Sequence, residues 1–239
     1  MSNYYIRKVL EKHEAQTILN WMESESCEYE DGIRTLGGDD TDENKRLVKR
    51  NEEAIGPTDL RSDCAKIVWE GIDKDVGFFA FTAPENSGSP MFTKTYPGGF
   101  YKPHQDKPSN GDFSTTIFLA EPDSYGGGAL RLMINSKVEE IKLPMGHAIT
   151  YKTGIPHQVQ PVEHGNRYAS VFWTTSKFSD ETIRKYWGAL NTIFMTHDFS
   201  GEFDKYGFDH CNLEDCLKSP KFMIQSLMYD MERDYRRDF

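Results

Sequence analysis

No apolar run in this 239-residue chain approaches the ~18 residues needed to cross a bilayer, and the opening MSNYYIRKVLEKHEAQ lacks the apolar stretch of a secretion signal. A soluble protein of the cytoplasm, with no membrane partner, is therefore expected. Cysteine is sparse: Cys27, Cys64, Cys211 and Cys216 form no CxxC pair, which argues against a disulfide framework and against a zinc knuckle. Positive charge is in short supply too. The 28 Lys and Arg stand against 38 Asp and Glu, and the net charge of -10 repels a phosphate backbone, so nucleic acid is a poor candidate partner. Neither an internal repeat nor a low-complexity tract is present, and the length suits one well-buried domain with an appendage.

What is present falls into three blocks. Leu10, Ala15, Ile18, Leu19 and Met22, and then Leu60, Cys64, Ile67, Val68 and Ile72, recur at three- and four-residue steps and predict two amphipathic helices. Between them Glu28 to Pro57, with GDDTDENK inside it, is too polar for a core and reads as a long loop or short hairpin. From Gly77 to Thr175 come short aromatic and β-branched runs: GFFAF, MFTKTY, STTIFLA, ALRLMI, KVEEIKL, HAITY, HQVQPV and RYASVFWTT. Turn residues such as YPGG, DSYGGG, Asn135-Ser136 and EHGN divide them, which predicts an antiparallel sandwich or barrel. Leu130, Leu132 and Ile134 alternate with Arg131 and Met133, as in a strand with one face in a core. Beyond Phe178 the helical period returns. Ser179 is a candidate cap for a helix carrying Ile183, Trp187, Leu190 and Phe194 on one side, and Ser219-Pro220 opens a last helix toward Arg236. The expected fold is mainly β with flanking helices, residues 1–178 forming the main domain and 179–239 a helical extension. Three roles stay open for that extension: a dimer surface, a support for the barrel, or a substrate-docking element.

The stretch FYKPHQDKPSNGD carries the chemistry. In an extended chain, side chains at i and i+2 share a face, so His104 and Asp106 converge on one point. Two neutral imidazoles and one carboxylate on one face of Fe(II) leave three positions for a chelating cosubstrate and O2. His157 in GIPHQVQPV is the candidate third ligand, because it opens a strand-like run after Asp106; His13, His147, His164, His197 and His210 have no comparable setting, and His147 is the next to consider. Arg167 heads the run RYASVFW. Its planar guanidinium grips a carboxylate through two parallel hydrogen bonds, which suggests an anionic cosubstrate held at its far end.

His104, Asp106, His157 and Arg167, in this order, resemble the Fe(II)- and 2-oxoglutarate-dependent oxygenases, and within them the prolyl-hydroxylase branch with its PKHD-type hydroxylases. YKPHQD resembles the branch's Tyr-x-x-His-x-Asp, SYGGGALRL its Gly-Gly-x-Leu strand entry, and PHQVQPVEHGNRYASVFW its distal His, Arg and Trp segment. The likeness is strong from Met91 to Ser176. It implies a double-stranded β-helix, or jelly-roll, core and the metal ligands His104, Asp106 and His157. It also implies 2-oxoglutarate held by Arg167 with help from Tyr96, and Tyr101 near the substrate. The implied reaction consumes O2 and 2-oxoglutarate, with ascorbate as reductant, and hydroxylates a C–H bond while releasing succinate and CO2. A prolyl residue in a protein or peptide is the substrate the resemblance favours. A free amino acid or other small molecule, and a cupin-like metal-binding protein without turnover, are the rival readings. The resemblance further suggests that Glu28 to Pro57 closes as a lid over the barrel mouth; a solvated surface loop with no role is the alternative.

Overall fold

The computed structural model describes residues 3–199 and 219–237. His210, Cys211 and Cys216 lie outside the described residues. In chain order the elements are β1 (Tyr4–Lys8), α1 (Lys12–Glu23), β2 (Glu28–Asp31), α2 (Asp42–Arg46), β3 (Lys49–Arg50), β4 (Glu52–Gly56), α3 (Thr58–Asp73) and α4 (Val76–Thr82). There follow β5 (Pro84–Ser87), β6 (Met91–Thr95), β7 (Phe100–His104), β8 (Phe113–Phe118), β9 (Gly126–Gly127), β10 (Leu130–Ile134) and β11 (Lys137–Ile141). The remainder are β12 (His147–Lys152), β13 (His157–Val159), β14 (Val162–His164), β15 (Arg167–Ser176), α5 (Glu181–Thr196) and α6 (Pro220–Tyr235). No helix among the described residues is long and apolar enough to cross a membrane.

The described residues form two compact units, one of residues 3–74 and 87–174, the other of residues 75–86, 175–199 and 219–237. The first is a jelly-roll of two antiparallel sheets. The larger runs β1-β12-β8-β15-β6-β4-β2 and the smaller β11-β10-β13-β7-β3. Phe118, Ile149 and Tyr151 of the larger sheet meet Leu130, Leu132, Ile134 and Ile141 of the smaller in a buried cluster. Each fully buried Leu or Ile there contributes roughly 1.5–3 kcal/mol. The alternation expected along β10 is borne out: Leu130, Leu132 and Ile134 are buried while Met133 is 53% exposed. Asn135 and Ser136 both have positive φ, 50° and 61°, the backbone of the tight two-residue turn that joins β10 to β11. On the other face of the larger sheet, Trp21 of α1 meets Phe92 edge-on at 5.3 Å and Trp69 of α3 meets Phe172 at 4.8 Å.

Three local expectations need correction. GFFAF is a helix, α4, and not a strand: a five-residue apolar run has no readable period, so its ends decide. There the Asp75 carboxylate accepts from the Gly77 N–H at 3.0 Å, and Ala83, in the left-handed region, closes the C-terminus. Glu28 to Pro57, expected as a long loop or short hairpin, is a set of short strands, β2, β3 and β4, with α2 among them. Tyr29, Glu30 and Asp31 pair with Ala54, Glu53 and Glu52, β4 continues the sheet onto β6, and β3 adds to β7. Backbone bonding to a sheet edge holds these polar strands, with ion pairs such as Lys94–Glu52 at 3.2 Å; they need little apolar area. Asp180, not Ser179, caps α5, accepting from the Thr182 and Ile183 N–H groups.

The second unit packs Phe178 and Trp187 with Ala83, flanked by Met228 and Met231. Helices α4 and α5 touch at Gly188, where a Cβ would stand 2.1 Å from the Ala80 carbonyl oxygen. Ser219 caps α6 through the Phe222 N–H, as the Ser-Pro pair predicts.

Candidate metal centre and cavity

Strand register brings the two histidines together. His104 ends β7, His157 begins β13, and the two are direct cross-strand partners, with ring centroids 4.2 Å apart. Asp106, two residues past His104, turns back toward both: His104 Nε2 lies 3.7 Å from Asp106 Oδ1 and His157 Nε2 lies 3.7 Å from Oδ2. The three ligand atoms all fall within 4.8 Å of one another, the only such group among the described residues. His147 starts β12 and does not join it.

The surroundings prepare these atoms as donors. The Nδ1 of His104 faces the Lys102 carbonyl oxygen at 2.8 Å, and that of His157 faces the Ile155 carbonyl oxygen at 2.9 Å. A carbonyl only accepts, so each Nδ1 carries a proton, and each Nε2 is the ring nitrogen that faces the centre. Burial, seconded by the neighbouring His157, pushes His104 down to about 4, which keeps it neutral. Asp106 Oδ2 accepts from Ser114 Oγ at 2.8 Å and from Trp173 Nε1 at 2.9 Å. Two imidazole Nε2 atoms and a hydrogen-bonded carboxylate form the donor set that suits a non-haem Fe(II) ion with open positions.

The centre opens into a cavity of about 340 Å³ lined by both sheets, a size that suits a small molecule. Thr95, Thr116, Tyr151 and Arg167 line it from the larger sheet, Lys49 and Tyr101 from the smaller. Arg167 is 3% exposed, its Nε has no hydrogen-bond partner, and no carboxylate among the described residues forms an ion pair with it. Its guanidinium lies over the Phe118 ring at 5.4 Å, and burial lowers its pKa. A buried cation in this state is costly unless an anion joins it, so the cavity is built for one. Tyr151 is a neutral donor beside it, because burial holds its hydroxyl far above the ordinary tyrosine range.

Tyr101 stacks on His104 with ring centroids 3.5 Å apart, and burial pushes its hydroxyl up to about 12. Lys49, directly opposite Tyr101 in the β3–β7 pairing, has its Nζ 4.9 Å over that ring and donates to Thr35 Oγ1 at 2.6 Å. Burial pushes this ammonium down to about 8, against the weaker pull of Glu53, Asp106 and Asp31. Tyr96 is placed differently. Met91, Thr93 and Thr95 of β6 line the cavity, and Tyr96, the residue after that strand, is not among the lining residues. The sequence reading missed Lys49, Tyr151, Thr116 and the two donors to Asp106. Ser114 and Thr116, two apart on β8, were the available signal, since a strand facing a polar site repeats hydroxyls at that spacing.

The profile of the 2OG-Fe(II) oxygenase superfamily matches residues 90–175, a span that includes His104, Asp106, His157 and Arg167. A PKHD-type hydroxylase of Synechococcus elongatus is 31% identical over 209 residues, which cover 82% of this chain and 92% of the relative. Among solved structures, a prolyl-4-hydroxylase of Pseudomonas putida has a similar fold, with a TM-score of 0.51 and 16% identity over 73% of this chain and 92% of that one. A prolyl hydroxylase in complex with a hypoxia inducible factor oxygen degradation domain peptide fragment, from Trichoplax adhaerens, gives a TM-score of 0.50 and 18% identity over 77% and 86%.

Proposed function

Because the chain belongs to the PKHD-type hydroxylases, enzymes of the 2OG-Fe(II) oxygenase superfamily, we propose that it hydroxylates a prolyl residue in a protein or peptide. The observation that carries this reading is the sharing of one cavity by the His104–Asp106–His157 group and the unpaired Arg167 guanidinium. Family membership brings Fe(II), 2-oxoglutarate and O2, and sets aside a metal-binding protein without turnover. When bound, these would supply the oxidising power that places one oxygen atom of O2 on an unactivated C–H bond and the other in succinate, with CO2 released; 2-oxoglutarate gives the two electrons, and ascorbate serves to keep the iron as Fe(II).

The chain's own part is binding, orientation and exclusion of water. His104 and His157 hold iron through Nε2 and Asp106 through its carboxylate, which Ser114 and Trp173 keep turned to the centre. Arg167 pairs with the distal carboxylate of 2-oxoglutarate, and Tyr151 replaces Tyr96 as the aromatic donor on that side of the cavity. Tyr101 fixes the plane of His104 and forms part of the wall that a substrate meets. The prolyl target draws support from the two solved prolyl hydroxylases of similar fold, one of them holding a peptide. We assign residues 1–178 to the dioxygenase domain and 179–239 to an extension of it.

The test is incubation with Fe(II), 2-oxoglutarate and ascorbate against peptide and free amino-acid pools, followed by mass spectrometry. A gain of one oxygen on peptide proline is expected. Gain confined to free amino acids would shift the substrate to a small molecule, and neither oxygen gain nor succinate formation would overturn the reading.

A further inference from the structure

Lys49 is the one buried ammonium in the cavity wall, and nothing in the proposed chemistry uses it. Its residue is 5% exposed, and it forms no ion pair with a carboxylate among the described residues. The nearby carboxylates are already engaged: Asp31 with Arg46 at 2.9 Å and Glu53 with Arg61 at 4.0 Å. Within the site, the charges of Fe(II), Asp106, 2-oxoglutarate and Arg167 cancel among themselves. Lys49 is left as a surplus cation, one aromatic ring removed from His104. A second ammonium, that of Lys107, stands at the same cavity beside Gly37, so the positive charge there runs against the net charge of -10 for the whole chain.

A buried lysine with one hydroxyl partner and a cavity in front of it keeps N–H groups free for a ligand. The ligand that satisfies both its charge and its donors is a carboxylate. Resting on the iron and 2-oxoglutarate reading above, we propose that Lys49 is a specificity-determining residue that binds a carboxylate of the substrate. That carboxylate is either the α-carboxylate of a free or C-terminal residue or the side chain of an Asp or Glu beside the hydroxylated one. The Lys49–Tyr101–His104 stack then sets how far from the metal the carboxylate is anchored, and hence which carbon faces the centre.

The test compares probes that differ only in that carboxylate. Protein loaded with Zn(II) and N-oxalylglycine, a non-reacting analogue of 2-oxoglutarate, is titrated by ligand-observed NMR with three pairs. These are L-proline and L-prolinamide, N-acetyl-L-proline and its amide, and acetyl-Ala-Pro-Asp-amide and acetyl-Ala-Pro-Asn-amide. The acid of at least one pair should bind roughly ten- to a hundredfold more tightly than its neutral twin, the worth of a charge-assisted hydrogen bond. The pair that separates identifies the source of the carboxylate. In Lys49→Met and Lys49→Gln the preference should fall to about onefold, while zinc and N-oxalylglycine occupancy persists. Zinc and N-oxalylglycine occupancy of the wild type, measured first on the same sample, reports on the site reading independently. No separation in any pair, or a separation that survives both substitutions, overturns the assignment of Lys49.

Discussion

Trp173 Nε1 donates to Asp106 Oδ2 across 2.9 Å, and this bond is the link between the last strand of the jelly-roll and the candidate metal centre. With Ser114 on the same oxygen, the carboxylate is held in one rotamer and Asp106 Oδ1 is left without a hydrogen-bond donor. Trp173→Phe keeps the ring and removes the donor. Metal affinity should fall about ten- to a hundredfold, the usual loss when an outer partner of a ligand is deleted, as measured by Mn(II) titration. Unchanged affinity would show that the indole only packs there.

Replacing His104, Asp106 or His157 by Ala should abolish conversion of 2-oxoglutarate to succinate, because two of the three donors cannot hold the ion in the cavity. Full turnover in His157→Ala would move the third ligand elsewhere, and His147 would be the next position to replace.

Arg167→Ala leaves the distal carboxylate of 2-oxoglutarate unpaired in a desolvated cavity. Truncation of such a contact costs on the order of 2–5 kcal/mol. The 2-oxoglutarate requirement should rise steeply while Mn(II) binding stays intact, and the thermal stabilisation that 2-oxoglutarate gives the Mn(II)-loaded wild type should vanish. A variant with the wild-type cosubstrate requirement would remove Arg167 from the site.

Lys49 ties stability to pH. Its folded pKa, about 8, lies below the ordinary 10.5, so between these values the unfolded chain binds more protons than the folded one, and stability rises with pH. The burial cost is thus complete below pH 8 and gone above about 10.5, with an upper bound of roughly 3 kcal/mol. Glu53, Asp106, Asp31 and His104 face the group, and the net direction already includes the first three. Lys49→Met should therefore melt at or above the wild-type temperature at pH 7, with its advantage shrinking toward pH 10. A variant less stable at pH 7 by the same margin as at pH 10 would contradict the depressed pKa.

The candidate ligand group was legible because its information is local or ordered: two residues apart for His104, which ends β7, and Asp106, just past that end, and a strand opening for His157. Lys49 and Tyr151 were not, since strand register alone carries them to the cavity: Lys49 lies opposite Tyr101, and Tyr151 opposite Ser114 and Tyr4. The same holds for β1. Its YYIRK buries no residue fully, and only pairing with β12 makes it a strand. Tyr96 follows the last residue of β6 and is not among the residues that line the cavity, so motif spacing alone carries its assignment.

The lid shrinks once its ends are seen to be strands. β2 and β4 pair with each other and β3 pairs with β7, which leaves residues 36–48, with the short helix α2 inside them, as the stretch outside the sheets. That stretch is exposed apart from Leu36 and Lys45, and it carries Leu47 at 51% and Val48 at 37% exposure, apolar groups that solvent does not favour. Thr35, Leu36 and Gly37 line the cavity, so one end of the stretch already touches the space a substrate would enter. A segment with few buried contacts opens at low cost, and closing it on a substrate would cover Leu47 and Val48 while excluding water from the metal. Trypsin reads this directly at Lys45 and Arg46. With Mn(II) and N-oxalylglycine bound, cleavage there should slow severalfold when a peptide identified by the oxygen-gain screen is added. Equal cleavage with and without that peptide, together with wild-type turnover after the 38–44 stretch is shortened, would leave residues 36–48 as a solvated loop with no part in the reaction.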